Sequence, residues 1–303
     1  MTSMSSGRTH PGRYPLDARL VRRLVAGQFP RWRGLPVERF PSGGTVNAMY
    51  RLGDDMVVRL PLVEGGAGDV RAEREWLPRL APLLPTAVPE VLGAGEPTEG
   101  YPWPWSVYRW LPGEIPEAGA LAEPELLARD LAGFVAAMRD VALPDAPGAY
   151  RGGPLATLDG QTRAALDELS ALPEEGVDCS ALAAVWEDAL RAPDWDGPPV
   201  WLHADLMPGN LLVDEGRLTA VIDFGCMGVG DPACDLLPAW DLLPATARKA
   251  FREALGVDDA TWRRGRGRTL SQALIALPCY RRTNPAMAGN ARHVIRAVLA
   301  EAD

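Results

Sequence analysis

The sequence predicts an α+β fold of two lobes, a small one built on an antiparallel sheet with one key helix and a larger, mainly helical one. Three observations predict it. Short alternating or apolar runs bounded by turn residues fill the chain up to residue 111. Pro112-Gly113-Glu114-Ile115-Pro116 then punctuates it, and helical periodicity takes over. One strand-turn-strand pattern lies inside the helical part, with strands at 211–213 and 218–222 around Asp214-Glu215-Gly216.

Residues 16–28 have helical spacing, and Val37-Glu38-Arg39-Phe40 alternates as a strand. Residues 48–52 and 56–60 read as strands joined by the turn Gly53-Asp54-Asp55. Residues 69–80 are predicted helical, with Trp76, Leu77 and Leu80 on one face. Strands are expected at 88–93 and 105–111. Tyr101-Pro102-Trp103-Pro104-Trp105 is expected to cap the small core. Helices follow at 123–140, 155–172, 180–192, 246–255, 267–280 and 291–302. Arg263-Arg264-Gly265-Arg266-Gly267-Arg268 reads as a solvated turn between helices. The predicted divisions are a disordered lead-in at 1–15, a small lobe at 16–111, and a large lobe at 112–303.

The strongest chemical signal is His203-Ala204-Asp205-Leu206-Met207-Pro208-Gly209-Asn210, followed by Ile222-Asp223-Phe224-Gly225. Asp205 is a candidate base, able to orient a hydroxyl and receive its proton. Asn210 offers a hard oxygen suited to Mg²⁺, and Pro208-Gly209 forces a loop between the two. The returning strand brings Asp223 back beside Asn210, where a carboxylate can bridge metal to phosphate. His203 is expected to hold the loop. Asp231 is a turn or cap residue, and Asp235 a partner for the loop.

With those residues in view, the segment 201–240 resembles the aminoglycoside phosphotransferase family of antibiotic kinases, relatives of choline and homoserine kinases. The family pattern is His-x-Asp-x-x-x-x-Asn, then Ile-Asp-x-Gly, then Gly-Asp-Pro and a further Asp, and every position is filled here. The resemblance implies a protein-kinase-like fold, Asp205 as catalytic base, Asn210 and Asp223 as Mg²⁺ ligands, and Asp235 as loop brace. It implies ATP or GTP as co-substrate and a hydroxylated small molecule as acceptor, an aminoglycoside-type antibiotic first. Other acceptors (a macrolide, a sugar, an amino alcohol, homoserine) and a catalytically silent nucleotide-binding sensor stay open.

Ser42, Gly43, Gly44 and Thr45 stand where glycine backbone and hydroxyls can approach phosphates. Arg59 occupies the third-strand position at which kinases carry a phosphate-binding lysine; Lys249 is the chain's only lysine. Glu73 is the expected ion-pair partner of Arg59, with Glu75 the alternative. Backbone groups at Arg109, Trp110 and Leu111 would meet the nucleotide base. Asp159, Asp194, Asp196, Asp241, Glu301 and Asp303 are unranked candidates for acceptor contact.

A chain of 303 residues, 47% hydrophobic and 23% charged, suits an ordinary globular protein with ample core. A net charge of −9 disfavours nucleic acid and is compatible with a polycationic acceptor. No apolar run approaches a membrane span, and the four cysteines lack a Cys-x-x-Cys pair, so reduced thiols in a cytoplasm are expected.

Overall fold

The computed structural model describes residues 14–40, 46–98, 100–172 and 175–302. The chain divides into two compact units, Met1–Arg79 with Pro89–Leu111, and Leu80–Val88 with Pro112–Asp303. Leu80–Val88, expected in the small lobe, goes with the second unit: Ala87 bridges Ala220 there and accepts from the Val221 N–H at 3.0 Å.

The first unit opens with α1 (Ala18–Gln28), capped by Asp17, whose carboxylate accepts from the Leu20 N–H at 2.7 Å. Its Val21, Leu24 and Val25 are buried on one face, the helical spacing that an amphipathic helix requires. Strands β1 (Val37–Phe40), β2 (Asn47–Leu52) and β3 (Met56–Pro61) follow, then α2 (Gly66–Leu80), β4 (Val91–Gly95) and β5 (Trp105–Arg109). The sheet order is β1-β2-β3-β5-β4, with antiparallel neighbours. Burial alternates along β2 but is continuous along β3, because β3 is central and covered on both faces. Tyr101 and Trp105 lie in the core that this sheet shares with α1.

The second unit contains α3 (Pro124–Arg139), α4 (Asp159–Ser170), α5 (Cys179–Arg191), β6 (Val200–Leu202), the hairpin β7 (Leu211–Asp214) and β8 (Arg217–Val221), and β9 (Gly228–Gly230). It ends with α6 (Pro238–Asp241), α7 (Ala245–Leu255), α8 (Asp259–Tyr280) and α9 (Pro285–Ala302). The β6–β9 pair was not anticipated; strands of three residues carry too little pattern to read. Asp130 on α3 holds the hairpin, accepting from Arg217 Nε and Nη2 at 2.7 and 2.8 Å and from the Leu218 N–H at 3.1 Å.

The expected turn at 263–268 is a correction. Asp258 caps α8, accepting from the Thr261 N–H at 2.6 Å, and the helix runs straight through the arginine-glycine run. Gly265 and Gly267 are there for close packing: a Cβ would lie 2.8 Å from the Leu236 side chain and 2.5 Å from Ala189 Cβ, respectively. Arg264 and Arg268 share one helical face and are buried.

Candidate active site

Asp205 and Asn210 meet directly. Asn210 Nδ2 donates to Asp205 Oδ2 at 3.1 Å and to its backbone oxygen at 2.8 Å. A short 3-10 turn at Pro208–Asn210 makes this possible, since five residues of extended chain would carry the two side chains apart. The Ile222 N–H donates to the Asn210 carbonyl at 2.9 Å, and Leu211 pairs with Val221, so the hairpin returns Asp223 to the neighbourhood of Asn210. Asp223 is left-handed, φ 63°, as is Ala204, φ 64°. Strained backbone at non-glycine residues is costly and concentrates at functional sites.

The loop is braced from beneath. Asp235 is fully buried and accepts from the His203 and Ala204 N–H groups at 2.8 and 2.7 Å. Burial pushes its carboxyl up, against the pull of His203, those two N–H groups and Arg139. His203 Nδ1 accepts from the Asp205 N–H at 3.2 Å, which leaves Nε2–H to donate to the Ile222 carbonyl at 3.1 Å. One ring thus ties both arms of the site, while packing on Phe224 with centroids 4.6 Å apart. Asp231 caps the turn that carries Asp235, accepting from the Ala233 N–H at 2.9 Å. Arg264 grips Asp231 through Nε and Nη2, and Arg268 adds a longer contact at 3.4 Å.

In the first unit, Arg59 Nη1 lies 2.7 Å from Glu73 Oε1, and both residues are buried. The Tyr108 hydroxyl donates to the other Glu73 oxygen. With its amide oxygen turned inward, Asn47 accepts from Arg59 Nη2 and Nε at 2.9 and 3.0 Å. The ion-pair partner of Arg59 is thus Glu73, not Glu75. The Arg109 and Trp110 N–H groups are engaged within this unit, by the carbonyls of Glu90 at 3.0 Å and Asp55 at 2.7 Å. The Trp110 ring stacks under Arg51 and against Phe40. Backbone reading of a base by those two N–H groups is therefore closed off, which leaves Leu111 and the carbonyls. Ser42, Gly43, Gly44 and Thr45 lie outside the described residues.

Residues 37–268 match the phosphotransferase enzyme family, which is three quarters of the chain. The chain belongs to that family. Aminoglycoside 3'-phosphotransferases of Escherichia coli and Salmonella typhimurium are each 30% identical over 79 residues, 25% of this chain. That match spans 29% of the length of those curated relatives. The fold is similar to the GDP and kanamycin complex of APH(2")-IIia, at a TM-score of 0.73, 20% identity, and coverage of 93% of this chain and 98% of the other. It is also similar to the macrolide 2'-phosphotransferase MphH of Brachybacterium faecium, at 0.59, 23% identity, and 93% and 98% coverage. The fold of this phosphotransferase is therefore protein-kinase-like.

The site suits Mg²⁺. Spending Nδ2 on Asp205 leaves the Asn210 amide oxygen as a hard ligand, and Asp223 adds a carboxylate. Among the described residues, no group of three or more His, Cys, Asp and Glu side chains could hold a metal ion.

Two residues of the phosphotransferase stand out only in three dimensions. Arg151, from the loop before α4, donates through Nη1 to Asp205 Oδ1 and, at 3.2 Å, to the Ala204 carbonyl. Its only trace in the sequence is an arginine beside Gly152-Gly153, which carries no pattern. Asp241 was one of several unranked acids. It lines a pocket with Met207, Leu237, Thr269, Gln272 and Asn290, and is 2% exposed. Its Oδ1 finds no hydrogen-bond partner among the described residues. Burial raises its carboxyl well above the usual range; Asn290 pulls it back, and the charge of Asp205 pushes it further up. The other acids are committed elsewhere or solvated. Asp159 binds Trp186 and Arg163, Glu301 binds Trp240 and Trp262, and Asp194 and Asp196 are exposed; Asp303 is outside the described residues.

Proposed function

We propose that this phosphotransferase moves the γ-phosphoryl of a nucleoside triphosphate, ATP or GTP, to a hydroxyl of an amine-bearing antibiotic, aminoglycosides first. The acceptor oxygen attacks the γ-phosphorus, the bond to the bridging oxygen breaks, and the nucleoside diphosphate leaves. The hydroxyl proton passes to Asp205. Mg²⁺, when bound by Asn210 and Asp223, neutralises charge on the phosphates. Arg59, held by Glu73, is the proposed cation for the nucleotide. His203, Asp231 and Asp235 act by keeping Asp205 in place. The meeting of Asn210 with Asp205 at 3.1 Å, in a hairpin that returns Asp223, carries the reading.

An amino group of the acceptor is proposed to reach Asp241 through a pocket of about 30 Å³, which admits a single small group and leaves the rest of the acceptor outside it. Supporting this are the unpartnered Oδ1 and the place of Met207, two residues from Asp205, in the wall. The net charge of −9 favours cationic acceptors. A macrolide is the second reading, supported by the likeness of the fold to the macrolide 2'-phosphotransferase MphH. A cytoplasmic setting belongs to the proposal, supported by the reduced thiols of Cys179, Cys226, Cys234 and Cys279. No helix among the described residues is long and apolar enough to cross a membrane.

The test is incubation of the purified protein with ATP or GTP, Mg²⁺ and a panel of aminoglycosides, macrolides, sugars and amino alcohols, read by mass spectrometry. A phosphate added to an amine-bearing antibiotic is the expected result. No phosphorylated product with either nucleotide would sink the reading, and a sugar as sole substrate would remove the role given to Asp241.

A further inference from the structure

Resting on that reading, we infer that Arg151 is a positioning residue for the reaction, acting through Asp205. The two oxygens of the Asp205 carboxylate have different donors. Arg151 takes Oδ1 and Asn210 takes Oδ2, so the plane of the carboxylate is held from both sides. Each oxygen keeps a second lone pair, so one remains for the acceptor hydroxyl. Arg151 also offsets the charge of Asp205. An uncompensated carboxylate would repel the triphosphate that has to approach it.

The backbone is arranged to deliver this side chain. The Ala149 N–H donates to the Val229 carbonyl at 3.0 Å, the Tyr150 N–H to Cys226 at 3.2 Å, and the Asp231 N–H to Gly152 at 3.1 Å. The Arg151 carbonyl accepts from Arg268 Nη1 at 2.9 Å and from the Cys234 thiol at 3.0 Å. This approach requires glycine on β9. A Cβ on Gly228 would lie 2.5 Å from Ala149 N, and one on Gly230 would lie 2.5 Å from Gly152 Cα. The loop is thus seated by main-chain bonds that do not use the guanidinium. Truncating Arg151 therefore removes its grip on Asp205 and leaves the seat intact. A third of the Arg151 side chain is exposed, and among the described residues no protein acceptor binds its Nε or Nη2.

The experiment compares steady-state kinetics of the wild type, Arg151→Ala and Arg151→Lys on whichever acceptor the panel identifies, with and without added guanidinium at a non-denaturing concentration. The expected result for Arg151→Ala is a kcat lowered about 100-fold, the scale on which a misplaced catalytic group costs rate. KM for the nucleotide should stay within about threefold, since a residue acting through the base contributes little to ground-state nucleotide binding. Guanidinium should restore part of kcat, and Arg151→Lys should fall between the two, keeping charge but not the planar fork. Melting curves report folding, and if Arg151→Ala does not fold, Arg151→Lys and Arg151→Gln carry the comparison. A kcat within about threefold of wild type, or a loss that guanidinium leaves untouched in a folded protein, overturns the role of Arg151. A wild type that phosphorylates nothing overturns the phosphotransfer reading instead, so the two failures are distinguishable.

Discussion

Arg264 on α8 clamps Asp231 with two hydrogen bonds, Nε to Oδ2 at 2.9 Å and Nη2 to Oδ1 at 3.1 Å, and both residues are buried. Asp231 caps the turn bearing Asp235, and Asp235 holds the two residues before Asp205. A helix far along the chain thereby secures the loop that carries Asp205. Arg264→Ala should cost about 3–5 kcal/mol, the usual result of orphaning one member of a buried pair. Thermal or urea unfolding measures it. A variant as stable as wild type would show that the clamp contributes nothing.

Asp231 also makes an acid-pH prediction. Burial alone would raise its carboxyl, but Arg264, the Ala233 N–H and the charge of Arg268 together hold it below the ordinary 3.8. Its pairing therefore contributes stability that is fully present above pH 3.8 and is lost as pH falls through the lower folded value. Asp231→Asn should lower stability at neutral pH and flatten the acid limb of a plot of melting temperature against pH. An unchanged acid limb would exclude Asp231 as its source.

Asp205→Ala should reduce phosphoryl transfer by about 10²–10⁴-fold, the range for loss of a general base. Nucleotide binding by calorimetry should be largely kept. Full turnover in the variant would remove Asp205 from the chemistry.

Arg59→Ala should raise the nucleotide KM about tenfold or more, the loss of one charge-assisted hydrogen bond to phosphate. Glu73→Gln should do so more weakly, by releasing Arg59 from its buried partner at 2.7 Å. An unaltered KM in Arg59→Ala would place Arg59 outside nucleotide binding.

Asp241→Asn should raise the acceptor KM about tenfold while leaving the nucleotide KM alone. Burial raises the carboxyl well above its usual range, so a cationic acceptor that binds the ionised form should draw a proton off it. Binding should release a proton and tighten as pH rises through the raised pKa, up to the point where the acceptor amine itself deprotonates. Calorimetry in buffers of different ionisation enthalpy detects that proton. Equal heats in all buffers would argue against contact between the amine and Asp241.

Local chemistry made the hairpin and its approach loop legible. Asp205, Asn210 and Asp223 are joined by a loop, a turn and two short strands, all encoded within 19 residues. The same locality made α1, β2, β3 and α3 readable from periodicity and caps. Where partners are distant in sequence, reading failed. The run at 263–268 has the composition of a turn, yet α8 absorbs it because Asp231 pairs with Arg264 and because Leu236 and Ala189 leave no room for side chains at Gly265 and Gly267. The main-chain N–H groups of Arg109 and Trp110 donate to the carbonyls of Glu90 and Asp55, partners that their own segment does not reveal.

By itself, the sequence determined the class of chemistry and the fold, and it placed Asp205 beside Asn210, because spacing along a short segment dictates which side chains can meet. Only tertiary structure decided that Arg151 holds one oxygen of Asp205 and that Asp241 is buried with an oxygen that finds no partner among the described residues, in a pocket wall. Burial and pairing arise from segments tens of residues apart packing together, and no local pattern encodes which segments those will be.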